Sequence, residues 1–184
     1  MKRDIDGAII FHREGKQKKG LEDLCHETRG LRVADVGTNM GESAEIFCDY
    51  FGEVYAIDTW SKEHLAVVRM VTGFNVDDGE VEESFNIRMR SAGGQICKVK
   101  EDSISAAGRF PDRFFDLVYI DASHDYDSVV ADIKVWRFKT EFIGGHDFCD
   151  TGDVRRAVMD EFRMPGWLFC DSSWLVRLRG ATDG

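Results

Sequence analysis

The stretch Leu31–Trp60, LRVADVGTNMGESAEIFCDYFGEVYAIDTW, changes between strand-like and helix-like patterns. Leu31–Val36 is a short apolar run typical of a buried parallel strand. Gly37 and Gly41 bracket the turn that follows, where a ligand could approach bare backbone. A helix is predicted next by four apolar residues at helical spacing, Ala44, Phe47, Cys48 and Phe51. The stretch therefore begins as a strand, a glycine turn and a helix.

A second strand is predicted to follow this strand, turn and helix. Gly52 is expected to end the helix, and Val54–Ile57 predicts the strand. This strand ends on Asp58, about 20 residues past the first glycine, where a carboxylate can accept hydrogen bonds from both hydroxyls of a ribose. The order indicates one half of a nucleotide-binding fold.

The residues of the turn decide between classes of nucleotide. A dinucleotide-binding turn carries G-x-G-x-x-G, so that a helix N-terminus receives the pyrophosphate. Here the order is Asp35-x-Gly37-x-Asn39-x-Gly41, and the Asp35 carboxylate would repel a pyrophosphate and favour a cationic ligand. Asn39 tolerates left-handed backbone better than other non-glycine residues. The alternative is an ordinary strand-to-helix turn that Asp35 caps.

Composition narrows the class of protein. A chain of 184 residues, 43% hydrophobic, is sufficient for one globular domain with a full core. The net charge of −10 argues against nucleic acid or an anionic membrane as partner and favours a small-molecule substrate. The five cysteines are odd in number and include no C-x-x-C pair, which favours a reducing cytoplasm. No apolar stretch is long enough to span a bilayer, and the N-terminus lacks a signal-peptide core.

Two segments flank the nucleotide-binding half. The first 29 residues contain a predicted helix around Leu21 and Leu24 that would cover the sheet edge. Residues 61–90 hold weakly helical stretches interrupted by Gly73 and by Asp77-Asp78-Gly79. The second segment is either a substrate lid or a packing helix with a surface loop.

The later strands bring further polar residues to one edge. Gln95–Val99 predicts a third strand, followed by Asp102, and the apolar run Phe114–Ile120 predicts a central fourth strand that ends on Asp121. A fifth strand, Glu141–Gly145, delivers His146 and Asp147. Because the carboxyl ends of parallel strands share one edge, we expect Asp121, His146 and Asp147 to converge there.

These three residues predict a divalent-cation site. Carboxylate oxygens suit magnesium or calcium, and the imidazole widens the choice to manganese or iron. The alternative is structural: Asp121 would cap the helix that begins near Asp125, His124 would be an exposed loop residue, and His146-Asp147 would form a turn. Beyond them, Trp167–Cys170 and Trp174–Leu178 predict an antiparallel hairpin.

Several of these motifs are similar to those of class I methyltransferases that use S-adenosylmethionine (SAM). DVGTNMG resembles their first motif and VYAIDTW the acidic loop that follows it, while IDASHDY, GGHDF and GDVRRAV resemble methyltransferase family 24, a group related to macrolide-sugar and catechol-type O-methyltransferases. The resemblance runs from about Leu31 to Phe162. It implies an α/β fold with a Rossmann-like seven-stranded, mostly parallel sheet, helices on both faces and a C-terminal antiparallel hairpin. It also implies one domain over residues 1–184, with an N-terminal segment 1–29 and a core 30–184.

The resemblance assigns roles to residues. The implied SAM-binding set comprises Asp35, Gly37, Thr38, Asn39, Gly41, Asp58, Thr59, Asp102, Ser103 and Asp121. Asp102 would lie beside the adenine, although it could equally be a helix N-cap. Catechol-type relatives hold a metal at the positions of Asp121, His146 and Asp147, from which His146 is a departure. Their general base is a lysine at the position of His124, where an imidazole can act near neutral pH.

The sequence therefore predicts a cytoplasmic SAM-dependent methyltransferase acting on a hydroxyl of a small molecule such as a sugar or phenolic compound, with Asp121 and His124 catalytic. The cofactors are SAM and, as an open question, Mg, Mn or Ca. A non-catalytic SAM-binding protein and an NAD-dependent oxidoreductase are the alternatives. The short N-terminal segment leaves open whether the pocket is uncovered or is covered by a second copy in a homo-oligomer.

Overall fold

A seven-stranded sheet forms the centre of the computed structural model, which describes residues 2–3, 9–10, 12–61, 79–149 and 152–178. The strands of this sheet are β3 (Gly30–Val36), β4 (Phe51–Asp58), β5 (Gln95–Lys100), β6 (Phe115–Ile120), β7 (Thr140–Gly145), β8 (Trp167–Leu168) and β9 (Trp174–Arg177). Their order is β5-β4-β3-β6-β7-β9-β8. The first five are parallel, while β9 pairs antiparallel with both β7 and β8. The predicted mostly parallel sheet and C-terminal hairpin are confirmed.

Helices cover both faces of the sheet. They are α1 (Gly15–Thr28), α2 (Glu42–Phe47), α3 (Glu80–Ser91), α4 (Ser103–Ala107), α5 (Tyr126–Trp136) and α6 (Asp153–Phe162). Residues of β6 alternate between two hydrophobic cores, as the two-residue period of a strand requires. Leu117 and Tyr119 pack with α1, α2 and α3, whereas Val118 and Ile120 pack with α4, α5 and α6. This alternation explains why the fourth strand is almost continuously apolar.

The second helix is shorter than predicted. It ends at Phe47, and β4 already begins at Phe51, so that Gly52 lies within the strand instead of ending the helix. Phe51 is buried, but it is buried as a strand residue opposite Gly30. Phe51 has helical spacing from Ala44 because both residues pack in the same hydrophobic core, although only Ala44 belongs to the helix.

The N-terminal region and the insertion are described in part. The short strands β1 (Lys2–Arg3) and β2 (Ile9–Ile10) pair antiparallel. The predicted helix around Leu21 and Leu24 is α1, and both leucines are fully buried. In the insertion, α3 packs through Val81, Phe85 and Arg88, whose side chains are buried. Residues 62–78 lie outside the described residues, and so does most of the predicted lid. No helix within the described residues is long and apolar enough to cross a membrane.

Candidate active site

The strand order reverses between β3 and β6, which creates a switch point at the carboxyl edge of the sheet. From β3 the chain proceeds to β4 and β5 on one side, and then crosses to β6 and β7 on the other. Ligands of open α/β sheets bind in the crevice at such a point. The loops after β3, β4, β5, β6 and β7 carry the residues described below.

The glycine turn after β3 contains three residues with left-handed backbone: Gly37 at φ 87°, Asn39 at φ 51° and Gly41 at φ 86°. A Cβ on Gly37 would lie 2.4 Å from the carbonyl oxygen of Asp121, and one on Gly41 would lie 3.0 Å from the Phe85 ring. Besides exposing backbone, these glycines therefore let the β6 loop and α3 approach the turn closely.

Asp35 braces this turn from inside the core. It is fully buried, and its Oδ2 accepts hydrogen bonds from the hydroxyls of Thr38 and Ser43, both at 2.7 Å. Burial raises the pKa of Asp35 to about 7, although the two hydroxyl donors act in the opposite direction. Oδ1 is buried and has no hydrogen-bond partner among the described residues. Asp35 therefore makes the hydrogen bonds expected if it caps the strand-to-helix turn.

Asp58 ties the end of β4 to the same turn. It is buried, with 8% of its surface exposed, and it accepts the backbone N–H of Asn39 at 3.0 Å and that of Trp60 at 2.8 Å, one on each carboxylate oxygen. The Trp60 indole donates to the Asn39 carbonyl at 2.8 Å. The neighbouring Thr59 hydroxyl accepts the backbone N–H of Ser61 at 3.3 Å. Each carboxylate oxygen can accept more than one hydrogen bond, so these contacts do not preclude a further donor at Asp58.

The loop after β5 lies beside Asp58, because the Glu101 N–H donates to the Asp58 carbonyl at 3.1 Å. Asp102 is the N-cap of α4, and its carboxylate accepts the Ser105 N–H at 2.9 Å. The hydroxyl of Ser103 donates to buried Asp132 on α5 and accepts the Trp136 indole N–H at 2.8 Å. Asp102 thus caps its helix, and the Ser103 hydroxyl joins α4 to α5.

His124 lies between two carboxylates at the ends of β6 and β7. Its Nε2 is 3.5 Å from Asp121 Oδ1 and its Nδ1 is 3.3 Å from Asp147 Oδ2. Contact with Asp121 raises the pKa of His124 above its ordinary value, and Asp147 adds to the effect. Burial alone would raise the pKa of Asp121, but His124 and the positive charge of Arg13 outweigh it and lower that pKa. The imidazole is 53% exposed, so a substrate in solution can reach it.

His146 also lies beside Asp147, but it does not bridge the two carboxylates as His124 does. Its Nδ1 lies 3.1 Å from Asp147 Oδ1, while its Nε2 is buried without a hydrogen-bond partner among the described residues. The contact with His146 is the largest cause that lowers the pKa of Asp147. Asp147 has left-handed backbone at φ 59°, which aspartate tolerates better than most residues. The α5 helix begins at Tyr126 and is capped by Asp125, so the alternative in which Asp121 is the cap does not apply.

Arg13 is a site residue that the sequence patterns did not reveal. It precedes α1, and its Nη2 lies 2.9 Å from Asp121 Oδ2, with the two side chains only 15% and 18% exposed. An arginine remains charged at any accessible pH, so this is a permanent ion pair. No motif surrounds Arg13, and a single arginine next to a lysine-rich run gives no signal that it will turn inward.

Among the described residues, three side chains could together hold a metal ion: Asp121, His124 and Asp147, whose ligand atoms all lie within 4.8 Å of one another. This group contains His124 in place of the predicted ligand His146. However, Arg13 already occupies Oδ2 of Asp121. As arranged, these residues do not fit a divalent metal.

Comparison with solved structures finds the same fold in several proteins. The cofactor-bound Rv0187 protein from MTB superposes with a TM-score of 0.64 at 19% identity, over 90% of this chain and 81% of that one. A Klebsiella pneumoniae protein proposed to be an O-methyltransferase gives 0.61 at 13%, over 91% and 81%. The O-methyltransferase NovP gives 0.59 at 13%, over 89% and 78%. At these identities the likeness shows the fold alone.

Comparison with curated protein sequences finds no match. A family model described as a methyltransferase domain, that of methyltransferase family 24, matches residues 34–147, which include the glycine turn, His124 and Asp147. Since this match spans more than half of the chain and agrees with the resemblance found in the motifs, the chain belongs to methyltransferase family 24.

Proposed function

We propose that this methyltransferase uses SAM to methylate a hydroxyl of a small molecule, with His124 as the general base. The observation that carries the proposal is the imidazole held between Asp121 and Asp147 at the switch point of the sheet, 3.5 and 3.3 Å from their oxygens. An imidazole that is half exposed and flanked by carboxylates can take a proton and be stabilised as imidazolium.

The SAM-binding role of the neighbouring loops is part of the proposal. Asp58 would accept the ribose hydroxyls at its carboxylate, which also receives the backbone N–H groups of Asn39 and Trp60. Asp102 would lie beside the adenine, since its loop is hydrogen-bonded to the end of β4 next to Asp58. The sulfonium and ammonium groups of SAM would then extend toward Asp35 and Asp121, where the site is rich in carboxylates.

Each group has a defined task in the reaction. SAM supplies the methyl group, which bonds to the acceptor oxygen as its bond to sulfur breaks and S-adenosylhomocysteine forms. His124 receives the hydroxyl proton as the oxygen becomes the nucleophile. Asp121 and Asp147 orient the ring and stabilise its positive charge. Arg13 keeps Asp121 ionised, since a cation 2.9 Å away favours the carboxylate form.

The choice of oxygen as acceptor rests on the base and on the fold neighbours. A hydroxyl needs its proton removed for methyl transfer, which the position of His124 allows. Two proteins with the same fold carry the description O-methyltransferase. A sugar or phenolic hydroxyl is therefore the first acceptor class to test.

The decisive experiment measures SAM binding and turnover in the same variants. His124→Ala should reduce turnover by about 10²-fold or more, as loss of a general base does, while SAM affinity stays within about twofold of the original. His26, an exposed histidine on α1, supplies the control variant His26→Ala, which should leave both unchanged. Added imidazole should restore part of the activity of His124→Ala.

Other outcomes contradict specific parts. An unimpaired His124→Ala variant would remove the base. A chain that binds SAM but methylates nothing in a panel of sugars, phenols and small acids would instead support a non-catalytic SAM-binding protein. Binding of NAD in place of SAM would refute the cofactor assignment.

A further inference from the structure

Arg13 and Asp121 form an ion pair that links the N-terminal segment to the centre of the site. The two residues are 108 positions apart in the chain, yet Nη2 and Oδ2 are 2.9 Å apart and both side chains are largely buried. The second terminal nitrogen of Arg13, Nη1, is buried with no hydrogen-bond partner among the described residues. Asp121 is thus the partner that Nη2 of Arg13 contacts, and the buried Tyr119 side chain also interacts with the guanidinium.

Arg13 places a permanent positive charge beside the carboxylates of the site. It offsets part of the negative charge that Asp121 and Asp147 contribute. A divalent cation bound by Asp121, His124 and Asp147 would add two positive charges close to the guanidinium. It would also have to share Asp121 with Arg13. Like charges this close repel strongly at a partly buried site.

Without Arg13 the same side chains become a reasonable metal site. Two carboxylates and a neutral imidazole, with ligand atoms within 4.8 Å of one another, offer hard and borderline donors with a net charge that matches a divalent cation. The donor set is therefore complete, and what opposes metal binding is the neighbouring arginine.

We propose that Arg13 takes the place of a divalent metal at Asp121: it keeps the group of Asp121, His124 and Asp147 free of metal, and its removal turns this group into a metal site. The proposal concerns cation binding by the protein alone, so it can stand or fall independently of SAM and of methyl transfer.

The test is a titration of the full chain with Mn²⁺ in the absence of SAM, in which electron paramagnetic resonance measures the free ion. The original protein should show no specific site at submillimolar Mn²⁺. Arg13→Gln should bind one Mn²⁺ at least about tenfold more tightly, the factor that about 1.4 kcal/mol of repulsion between cations would give. Arg13→Lys, which keeps the positive charge, should remain close to the original protein.

Two controls make the result specific. Arg29→Gln, at the end of α1 where Arg29 contacts exposed His26, should not gain metal affinity. Adding Asp147→Asn to Arg13→Gln should abolish the gain.

Either of two results would overturn the proposal. In one, the original protein binds one Mn²⁺ at submillimolar concentration and loses it in Asp147→Asn; this measurement needs no Arg13 variant to fold. In the other, Arg13→Gln or Arg13→Met is folded by circular dichroism and gains no affinity.

Discussion

Replacing Asp58 by alanine tests the SAM-binding half of the site most directly. Asp58 is buried at the end of β4, and its two oxygens accept backbone hydrogen bonds from Asn39 and Trp60 at 3.0 and 2.8 Å. If the carboxylate also accepts from the ribose, Asp58→Ala removes a charged acceptor from the ligand. Hydrogen bonds to charged groups contribute about 1.5 to 3 kcal/mol, so SAM affinity should fall by roughly ten- to a hundredfold.

The structure adds a complication that the assay has to separate. Asp58→Ala also leaves the N–H groups of Asn39 and Trp60 without their acceptor, which would loosen the glycine turn and lower affinity indirectly. Calorimetric titration should therefore compare S-adenosylhomocysteine with its 2′,3′-dideoxy analogue. The original protein should prefer the natural ligand, and Asp58→Ala should lose that preference, because only the direct contact depends on the ribose hydroxyls.

The matched control is Asp49→Ala, which removes an exposed aspartate in the turn before the same strand. It should leave both affinities unchanged. If Asp58→Ala weakens both ligands equally and keeps the preference for ribose hydroxyls, Asp58 stabilises the turn and does not bind the ribose.

Three further predictions follow from the geometry. Asp102→Ala and Asp125→Ala each remove an N-cap of nearly identical geometry, in which the carboxylate accepts the Ser105 N–H at 2.9 Å and the Ser128 N–H at 3.0 Å. Urea unfolding should show that both variants lose stability to a similar degree. Calorimetry should find weaker SAM binding only for Asp102→Ala, and equal SAM affinities would mean that Asp102 is a helix cap alone. Burial raises the pKa of Asp35 from 3.8 to about 7, so the proton held by the folded state stabilises it at low pH, and this contribution is lost as pH rises from about 4 through about 7. Unfolding measured across that range should show Asp35→Asn gaining stability relative to the original protein, and parallel curves would contradict the buried charge. Since Asp121 is the largest cause that raises the pKa of His124, kcat/KM should fall on the acid side of a pKa above 6.5, and Asp121→Asn should move this limb to lower pH; an unmoved limb would mean that another group titrates.

The sequence predicted the sheet well because its evidence there is local. The buried strands read as apolar runs ended by polar residues, and glycines with an intervening asparagine mark the turn after β3, where all three residues have left-handed backbone. The same local evidence misjudged the end of α2, since Phe51 has helical spacing from Ala44 and yet belongs to β4. A shared core face can produce either pattern over so short a distance.

The site could be predicted only as far as strand ends determine it. Asp121 and Asp147 were expected to converge because both follow central strands, and His124 lies between them. The backbone conformation of the loops, including the left-handed backbone of Asp147, decides which imidazole lies between the two carboxylates. The spacing of residues in the sequence does not reveal this conformation. The ion pair of Arg13 could not be predicted for a different reason. It joins residues 108 positions apart, and the segment around Arg13 contains no motif.

The position of Arg13 depends on how α1 packs, and the buried network beneath it explains how the N-terminal segment is fixed. Gly20 of α1 lies so close to the hairpin turn that a Cβ would meet Asp171 Oδ1 at 2.1 Å, which makes a residue without a side chain necessary there. Asp171 in turn accepts the Ser173 hydroxyl at 2.8 Å, and Ser173 contacts the Tyr119 hydroxyl at 3.0 Å. Tyr119 is a fully buried residue of β6, two positions before Asp121. The helix that follows Arg13 and the strand that precedes Asp121 are therefore held by one connected set of buried contacts. The ion pair between the two residues thus depends on the packing of the domain core as well as on the segments that carry them.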